Sequence, residues 1–176
     1  MDEQAAMTPW RSFWGRGKSE NMTTFRFAGD NDVSELMSLI NTAFGRAERF
    51  FIEGDRIDEE ELKQYMSRGK FVLAEENATV AGCVYVELRG ERGYVGLLSV
   101  EPQRQGSGLG KRLMAEAEEY FRKNGCCAVD IRVVNLRTEL MPFYRALGYR
   151  EVGVEPFPCD LTTLHPCHLV LMSKAL

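Results

Sequence analysis

Long apolar stretches are missing from this sequence of 176 residues. No run approaches the roughly 20 apolar residues that a membrane-spanning helix requires. The first residues mix charges with glycine, where a signal peptide would have its apolar segment. We therefore expect a cytoplasmic protein with no membrane partner.

An excess of positive charge is also missing. The 22 Lys and Arg residues stand against 26 Asp and Glu residues, which leaves a formal net charge of −4. Binding to a phosphate backbone depends on a basic surface, so the composition argues against nucleic acid as a partner. The length and the 44% of apolar residues are typical of one domain around one core.

Cysteine is present, but without the pattern of a disulfide framework. The five cysteines form an odd set: Cys83, Cys126, Cys127, Cys159 and Cys167. A chain of this length needs no covalent cross-links to fold, so we expect reduced thiols. A zinc site formed by Cys159, His165, Cys167 and His168 is the alternative, but its spacing matches no standard ligand pattern, and we expect no metal.

Residues 1–22 contain Trp10, Phe13 and Trp14 but no sustained period of apolar residues. Such a segment is typical of an extension outside the folded domain. We therefore expect a loose tail over residues 1–22 and a single domain over residues 23–176. In the alternative, these aromatic side chains dock on the domain or on a second subunit.

The period of the apolar residues changes several times along the proposed domain. Alternating and β-branched segments predict seven strands, at residues 24–28, 71–74, 79–88, 94–100, 128–134, 149–154 and 168–172. Helical spacing predicts four helices, at residues 32–45, 58–69, 109–124 and 140–147. This order of elements indicates a mixed α/β domain.

Polar and conformationally special residues define the predicted helix ends. Asp32 and Glu35 form a capping-box pattern, and Asp58 is the predicted cap of the second helix. Pro142 is tolerated only in a first turn, which predicts a helix start near residue 140. Gly45 is expected to end the first helix, so that residues 46–57 form a loop.

Gly106, Gly108 and Gly110 lie between a predicted strand and a predicted helix. The first turn of a helix leaves N–H groups unpaired and carries partial positive charge. Glycines let a ligand approach these groups, so the order strand, glycine loop, helix is typical of a pyrophosphate site. The alternative is that the glycines only form tight turns.

Two other phosphate-binding motifs are excluded by spacing. A P-loop would need glycine at Gln105 and Ser or Thr at Arg112. A dinucleotide fingerprint would need its third glycine at Lys111 and a tighter turn after the strand.

Gln103, Gly106 and Gly108 match the pattern Q/R-x-x-G-x-G/A. This segment resembles the coenzyme A motif of the GNAT superfamily of N-acetyltransferases. The resemblance extends through residues 98–100, the pair Val134-Asn135 and the FYRALGY segment at 143–149, and it covers the chain from about residue 24 to 176. It implies an α/β fold of the GNAT type, with a mixed, mostly antiparallel central sheet of six or seven strands flanked by four helices.

The resemblance also implies acetyl-CoA as the acyl donor. Main-chain amides of the glycine loop would hold its pyrophosphate, and the edge of the preceding strand would bind the pantetheine arm as if it were another strand. By resemblance, the residues assigned to the coenzyme are Leu98, Ser99, Val100, Gln103, Gln105, Gly106, Ser107, Gly108, Leu109, Gly110, Lys111, Asn135 and Tyr144.

Direct acetyl transfer requires a neutral amine, a donor for the developing oxyanion and an acid for the departing thiolate. The N–H of Leu98 is the expected oxyanion donor, because the family places the thioester there. Tyr144 matches the general acid of the family, and a phenol is protonated at neutral pH. A covalent route through Cys126 or Cys127 is disfavoured, since both follow the far end of the third helix.

The general base and the acceptor are less defined. Presenting an alkyl amine in its neutral form at pH 7 costs about 4.6 kcal/mol, so a base is expected, and Glu87 and His168 are both candidates. Arg49, Phe50 and Phe51 combine a cation with aromatic surface and are the candidate contacts of the acceptor.

Two alternatives keep the same coenzyme loop. A non-catalytic acyl-CoA-binding sensor or regulatory module would need the glycine loop but not Tyr144, and an enzyme could instead use a longer acyl group. The expected partner is an amine on a small molecule or peptide. Because dimers are common in the resembling family, a homodimer is a further expectation.

Overall fold

The computed structural model describes residues 23–158 and 163–176. The predicted tail at 1–22 and Cys159 of the zinc alternative lie outside these residues. The other four cysteines are free thiols. Within the described ranges, no three His, Cys, Asp or Glu side chains group as a metal site, and no helix is long and apolar enough to cross a bilayer.

The described residues form a seven-stranded sheet. In chain order the strands are β1 (Thr24–Phe27), β2 (Lys70–Glu76), β3 (Thr79–Arg89), β4 (Arg92–Val100), β5 (Ala128–Val134), β6 (Arg150–Pro156) and β7 (His168–Ala175). Their order across the sheet is β1-β2-β3-β4-β5-β7-β6, and the pair β4 and β5 is parallel while the other pairs are antiparallel. The predicted mixed, mostly antiparallel sheet is confirmed.

The four predicted helices are also confirmed: α1 (Val33–Glu48), α2 (Glu59–Arg68), α3 (Leu109–Lys123) and α4 (Leu140–Ala146). Successive residues of a strand point to opposite faces, and they join two different cores here. Val72 and Val84 pack in a core with residues of α3, whereas Phe71 and Tyr85 pack in a core with residues of α1 and α2. Helices therefore cover both faces of the sheet.

Local sequence signals locate two helix starts correctly. The Asp58 carboxylate accepts a hydrogen bond from the Glu61 N–H at 2.8 Å, and the Glu61 carboxylate accepts one from the Asp58 N–H at 3.1 Å. Helix α4 begins at Leu140, with Pro142 in its first turn. Both predictions rested on residues inside a single turn of helix.

The predicted capping box at the start of α1 is wrong. The Asp32 side chain makes no capping hydrogen bond, because it accepts hydrogen bonds from Arg26 at 2.7 and 2.8 Å and from the Gly29 N–H at 2.7 Å. Glu35 instead accepts a hydrogen bond from the Val80 N–H at 3.3 Å. Charge-assisted pairing with an arginine on β1 outcompetes the local cap.

The predicted end of α1 at Gly45 is also wrong, since the helix continues to Glu48. Gly45 does not have the positive φ that makes a glycine end a helix. The added turn is held by Glu48, which is buried and forms an ion pair with Arg137 at 3.2 Å. A partner distant in sequence therefore decides where this helix ends.

Candidate functional site

Strands β4 and β5 pair only along their first halves. The parallel ladder covers Arg92 to Val95 of β4, although β4 itself continues to Val100. Beyond Val95 the two strands diverge and leave a gap in the sheet. The end of β4 thus presents main-chain groups to this gap in the manner of an edge strand.

A β-bulge at Leu97 shapes the end of β4. The register with β3 shifts between Cys83 and Tyr85, and Leu97 has a φ of +47°, which costs about 1–2 kcal/mol for a residue with a side chain. The Leu97 carbonyl accepts hydrogen bonds from Ser99 Oγ at 3.1 Å and Cys83 Sγ at 3.9 Å. Strain held in this way is concentrated at functional sites.

A first cavity, of about 520 Å³, lies at the end of β4. One wall consists of eight residues that were assigned to the coenzyme by resemblance: Leu98, Val100, Gln105, Gly106, Gly108, Leu109, Gly110 and Lys111. Phe44, Leu140 and Phe143 are among the other lining residues and make much of that surface apolar. The lining residues come from the end of β4, the glycine loop and the start of α3, so the cavity extends from the strand end to the helix start.

The glycine loop has a backbone that other residues would not adopt without strain. Gly106 and Gly108 have φ angles of +78° and +85°, and the Gln105 side chain fixes the loop by donating to the Val100 carbonyl at 3.2 Å. A Cβ at either glycine would meet no protein atom within 4 Å. The space beside these glycines is therefore open to a ligand.

The N-terminus of α3 belongs to the first cavity. Its first turn closes with a hydrogen bond of 3.2 Å from the Arg112 N–H to the Gly108 carbonyl, so the N–H groups of residues 109–111 precede the helical ladder. Lys111 lines the same cavity and adds a full positive charge. These groups together suit a pyrophosphate.

Five other residues assigned to the coenzyme, among them Tyr144, do not line the first cavity. Gln103 and Ser107 are exposed, and Ser99 is buried. Asn135 Oδ1 accepts a hydrogen bond from the His168 N–H at 2.9 Å, and the Asn135 N–H donates to the His168 carbonyl at 3.0 Å. In this conformation Asn135 joins the end of β5 to the start of β7.

A second cavity, of about 290 Å³, lies between the diverging strands. It is lined by residues 94–98 of β4 and 131–134 of β5, together with aromatic and arginine side chains that include Tyr65, Arg56 and Arg132. The two cavities share Phe44, Leu98, Arg137 and Leu140. A reacting group beside Leu98 would therefore be accessible from both.

Tyr144 lines the second cavity and is buried, with 7% of its surface exposed. Burial raises the pKa of its phenol to about 12, against the opposing effect of the nearby Arg137 guanidinium. The phenol is consequently a proton donor throughout the neutral pH range. Tyr144 and Leu98, the two residues of the predicted catalytic groups, both line this cavity.

The two candidate bases line neither of these cavities. Glu87 accepts hydrogen bonds from the Tyr85 hydroxyl at 3.0 Å and from Arg89 at 2.8 and 3.0 Å, and the bonding to Arg89 lowers the pKa of the Glu87 carboxyl. His168 is exposed at the start of β7. A catalytic role for either residue stays a prediction.

The three predicted contacts of the acceptor are separated in the structure. Phe51 is fully buried, and its ring packs edge to face against Phe50 with centroids 4.8 Å apart, while Phe50 itself is exposed. Arg49 lines a third cavity, of about 530 Å³, which shares Glu48 and Arg56 with the second. Of the three residues, Arg49 is the one that lines any of these three cavities.

Two charged residues that line the second cavity were not identified from the sequence. Arg137 lines both cavities and forms ion pairs with Glu48 at 3.2 Å and with Glu139 at 2.6 Å. Arg137 follows the Val134-Asn135 pair by two residues, and this position next to a recognised motif could have identified it from the sequence. Glu48 offered none, because it lies in a charged segment with no period.

Comparison with known proteins agrees with the resemblance to the GNAT superfamily that the sequence motifs indicated. The model of the acetyltransferase (GNAT) family matches residues 34–149. Glucosamine 6-phosphate N-acetyltransferase 1 of Oryza sativa subsp. japonica is 32% identical over 105 residues, which cover 54% of this chain and 62% of that protein. N-acetyltransferase 8B of Homo sapiens is 28% identical over 118 residues, which cover 61% of this chain and 52% of that protein.

The matched segment thus spans less than two thirds of the length of these curated relatives. Among solved structures, the PaiA N-acetyltransferase of Thermoplasma acidophilum in complex with coenzyme A superposes with a TM-score of 0.72, over 88% of this chain and 99% of that chain, at 16% identity. At that identity the similarity concerns the fold.

Proposed function

Because the chain belongs to the acetyltransferase (GNAT) family, we propose that it moves an acetyl group from acetyl-CoA directly to a primary amine of a small molecule or peptide. The observation that carries the proposal is the meeting of two cavities at Leu98 and Arg137. One cavity contains the glycine loop and the other contains Tyr144. Two substrates can then approach one point from separate sides, as direct transfer requires.

The first cavity fits the donor chemically. The N–H groups of residues 109–111 and the Lys111 ammonium complement a pyrophosphate. The free edge of β4 at Leu98 and Val100 complements the amides of a pantetheine arm. Acetyl-CoA, when bound, supplies the activated thioester.

Two groups of the chain are proposed to act on the reacting atoms. Leu98 lines both cavities, and its main-chain N–H would donate to the developing oxyanion. The Tyr144 hydroxyl would protonate the departing sulfur, since burial keeps the phenol in its neutral form.

The acceptor side favours an amine that also carries an anionic group. Arg56 and Arg132 line the second cavity, and Arg49 lines the third. Arginine recognises carboxylate and phosphate groups through paired hydrogen bonds. Amino acids, peptides and phosphorylated amines are therefore the first acceptors to examine.

An acceptor screen tests the proposal. The purified protein is incubated with acetyl-CoA, and thiol release is followed with amino acids, peptides, phosphorylated amines, polyamines and aminoglycosides. Release that depends on one of these amines supports direct transfer. Measurable binding of coenzyme A without release for any amine would favour a sensor instead.

Replacing Gly108 by alanine is expected to weaken acetyl-CoA binding by about tenfold, which corresponds to 1.4 kcal/mol. The added methyl group disfavours the φ of +85° and occupies space beside the proposed pyrophosphate site. Titration calorimetry would measure the change in Kd.

Gly125→Ala is the matched control for this substitution. Gly125 has a φ of +76° and, like Gly108, has no atom within 4 Å of an added Cβ. It follows the far end of α3, so it should lose similar stability without any change in Kd. An equal loss of affinity in both variants would contradict a coenzyme site at Gly108.

A further inference from the structure

Glu48 is an unusual buried acid. It occupies the last turn of α1, has 6% of its surface exposed and lines the second cavity, which Tyr144 and Leu98 also line. Burial of a carboxylate is costly unless charged or hydrogen-bonding partners surround it. The contacts of Glu48 therefore indicate what the residue is for.

Among the residues that the structure describes, the partners of Glu48 satisfy only part of its carboxylate. Arg137 Nη1 donates to Oε1 at 3.2 Å, whereas Arg56 Nε lies 3.9 Å from Oε2, which is too long for a hydrogen bond. Oε2 thus keeps the capacity to accept a proton or a hydrogen bond. Arg137 is shared with Glu139 at 2.6 Å, which reduces its hold on Glu48.

The reaction needs such a group. The acceptor amine is largely protonated at neutral pH, and an ammonium group has no lone pair with which to attack a thioester. We propose that Glu48 is the general base of acetyl transfer and that its Oε2 accepts a proton from the acceptor's ammonium group in the second cavity. The inference rests on the proposed function.

The protons transferred in this step balance. The ammonium gives one proton to Glu48, and the resulting amine forms the C–N bond to the acetyl carbonyl carbon while the C–S bond breaks. The sulfur takes the Tyr144 proton, and Tyr144 recovers a proton from the new amide nitrogen. Glu48 then releases its proton to solvent, so the products are an amide, a thiol and one proton.

The charges around Glu48 suit this role. Burial raises the pKa of its carboxyl, while the guanidinium groups of Arg56 and Arg137 oppose the shift and the Glu139 carboxylate adds to it. The Cys167 thiol is a further titratable group nearby, and its pKa is raised by burial and by Glu48. A carboxylate with a raised pKa is a stronger base, and it is ionised only above that raised pKa. Turnover should therefore fall as the pH drops through it.

The test compares two simple amines, ethanolamine, which is strongly basic, and aminoacetonitrile, which is weakly basic. With ethanolamine at pH 7, Glu48→Gln should lower kcat/KM by roughly 100-fold, in the usual range for a general base. With aminoacetonitrile, which is already neutral, the loss should stay below about fivefold. For ethanolamine the deficit should shrink towards pH 10, as the free amine becomes abundant.

Two further variants keep the test decisive. Glu155→Gln removes a carboxylate that pairs at 2.6 Å with Arg132 of the same cavity. This variant should leave kcat/KM unchanged for both amines. If Glu48→Gln does not fold, Glu48→Asp replaces it in the test. This variant keeps the charge but shortens the side chain by one methylene, so its loss of kcat/KM should also be larger for ethanolamine than for aminoacetonitrile.

Three results would overturn the inference. The first is an equal loss with both amines at every pH, which is the signature of a structural role. The second is no loss with either amine. The third is a wild-type protein that acetylates neither these amines nor any amine of the acceptor screen, which would remove the proposed function together with the inference.

Discussion

Replacing Tyr144 by phenylalanine is expected to lower kcat by roughly 100- to 1000-fold, the contribution typical of a general acid. The substitution removes one hydroxyl group and leaves the ring, which packs 5.0 Å from Phe143 and 5.9 Å from Tyr149. The loss should therefore lie in chemistry rather than in folding. Steady-state thiol release with the acceptor found by the screen would measure it.

The Kd for acetyl-CoA should change little in this variant, because Tyr144 does not line the first cavity. Tyr94→Phe is the matched control, since it removes a phenol hydroxyl from the wall of the same second cavity. Its kcat should stay within about threefold of the wild type, as for a group without a catalytic role. Unchanged turnover in Tyr144→Phe would exclude the residue as the acid.

The pH profile provides an independent check on Tyr144. An acid must be protonated to act, and burial raises the pKa of this phenol to about 12. Activity that depends on it is present below that value and is lost only as the pH approaches it. An alkaline decline centred near pH 9, removed by Tyr144→Phe, would contradict this environment.

The parts of the fold that were predictable from sequence depend on neighbours along the chain. The β-branched segment of β5 was predicted with its observed bounds, Ala128–Val134. Asp58 and Pro142 allowed two helix starts to be predicted, because the capping carboxylate of Asp58 and the ring of Pro142 each act within one helical turn. The end of α1 was missed because Glu48 pairs with Arg137, 89 residues away.

The same distinction applies to the site. The glycine loop was recognisable because its residues are consecutive, and it lines a cavity with the strand end that precedes it. The bulge at Leu97 depends on pairing with β3 and carries no signal of its own. The junction of the two cavities likewise forms only when α1, β4 and the segment after β5 come together. Arg137 at this junction and Glu48 in the second cavity were therefore identified only from the structure.

Glu118 shows how a patterned surface can hide a buried group. Its spacing to Arg122 predicts an exposed helix face with an ion pair, and that pair exists at 3.6 Å. Glu118 is nevertheless buried, with 6% of its surface exposed. The Lys174 ammonium donates to it at 2.7 Å and the Tyr149 hydroxyl at 3.2 Å.

Glu118→Ala is expected to lower the free energy of unfolding by about 2–3 kcal/mol, because it leaves a lysine and a tyrosine hydroxyl without their acceptor. The melting temperature should fall by about 4–12 °C.

Glu119→Ala is the control for this loss. The neighbouring Glu119 forms pairs of 3.5 and 3.7 Å with Lys123 and Arg122 in solvent, and its loss should stay below about 0.5 kcal/mol, as for exposed ion pairs. Equal losses would contradict a buried cluster at Glu118. Because Glu118, Lys174 and Tyr149 line neither the first nor the second cavity, the Glu118 variant should retain its kcat well below the melting temperature and lose it only as the fold opens.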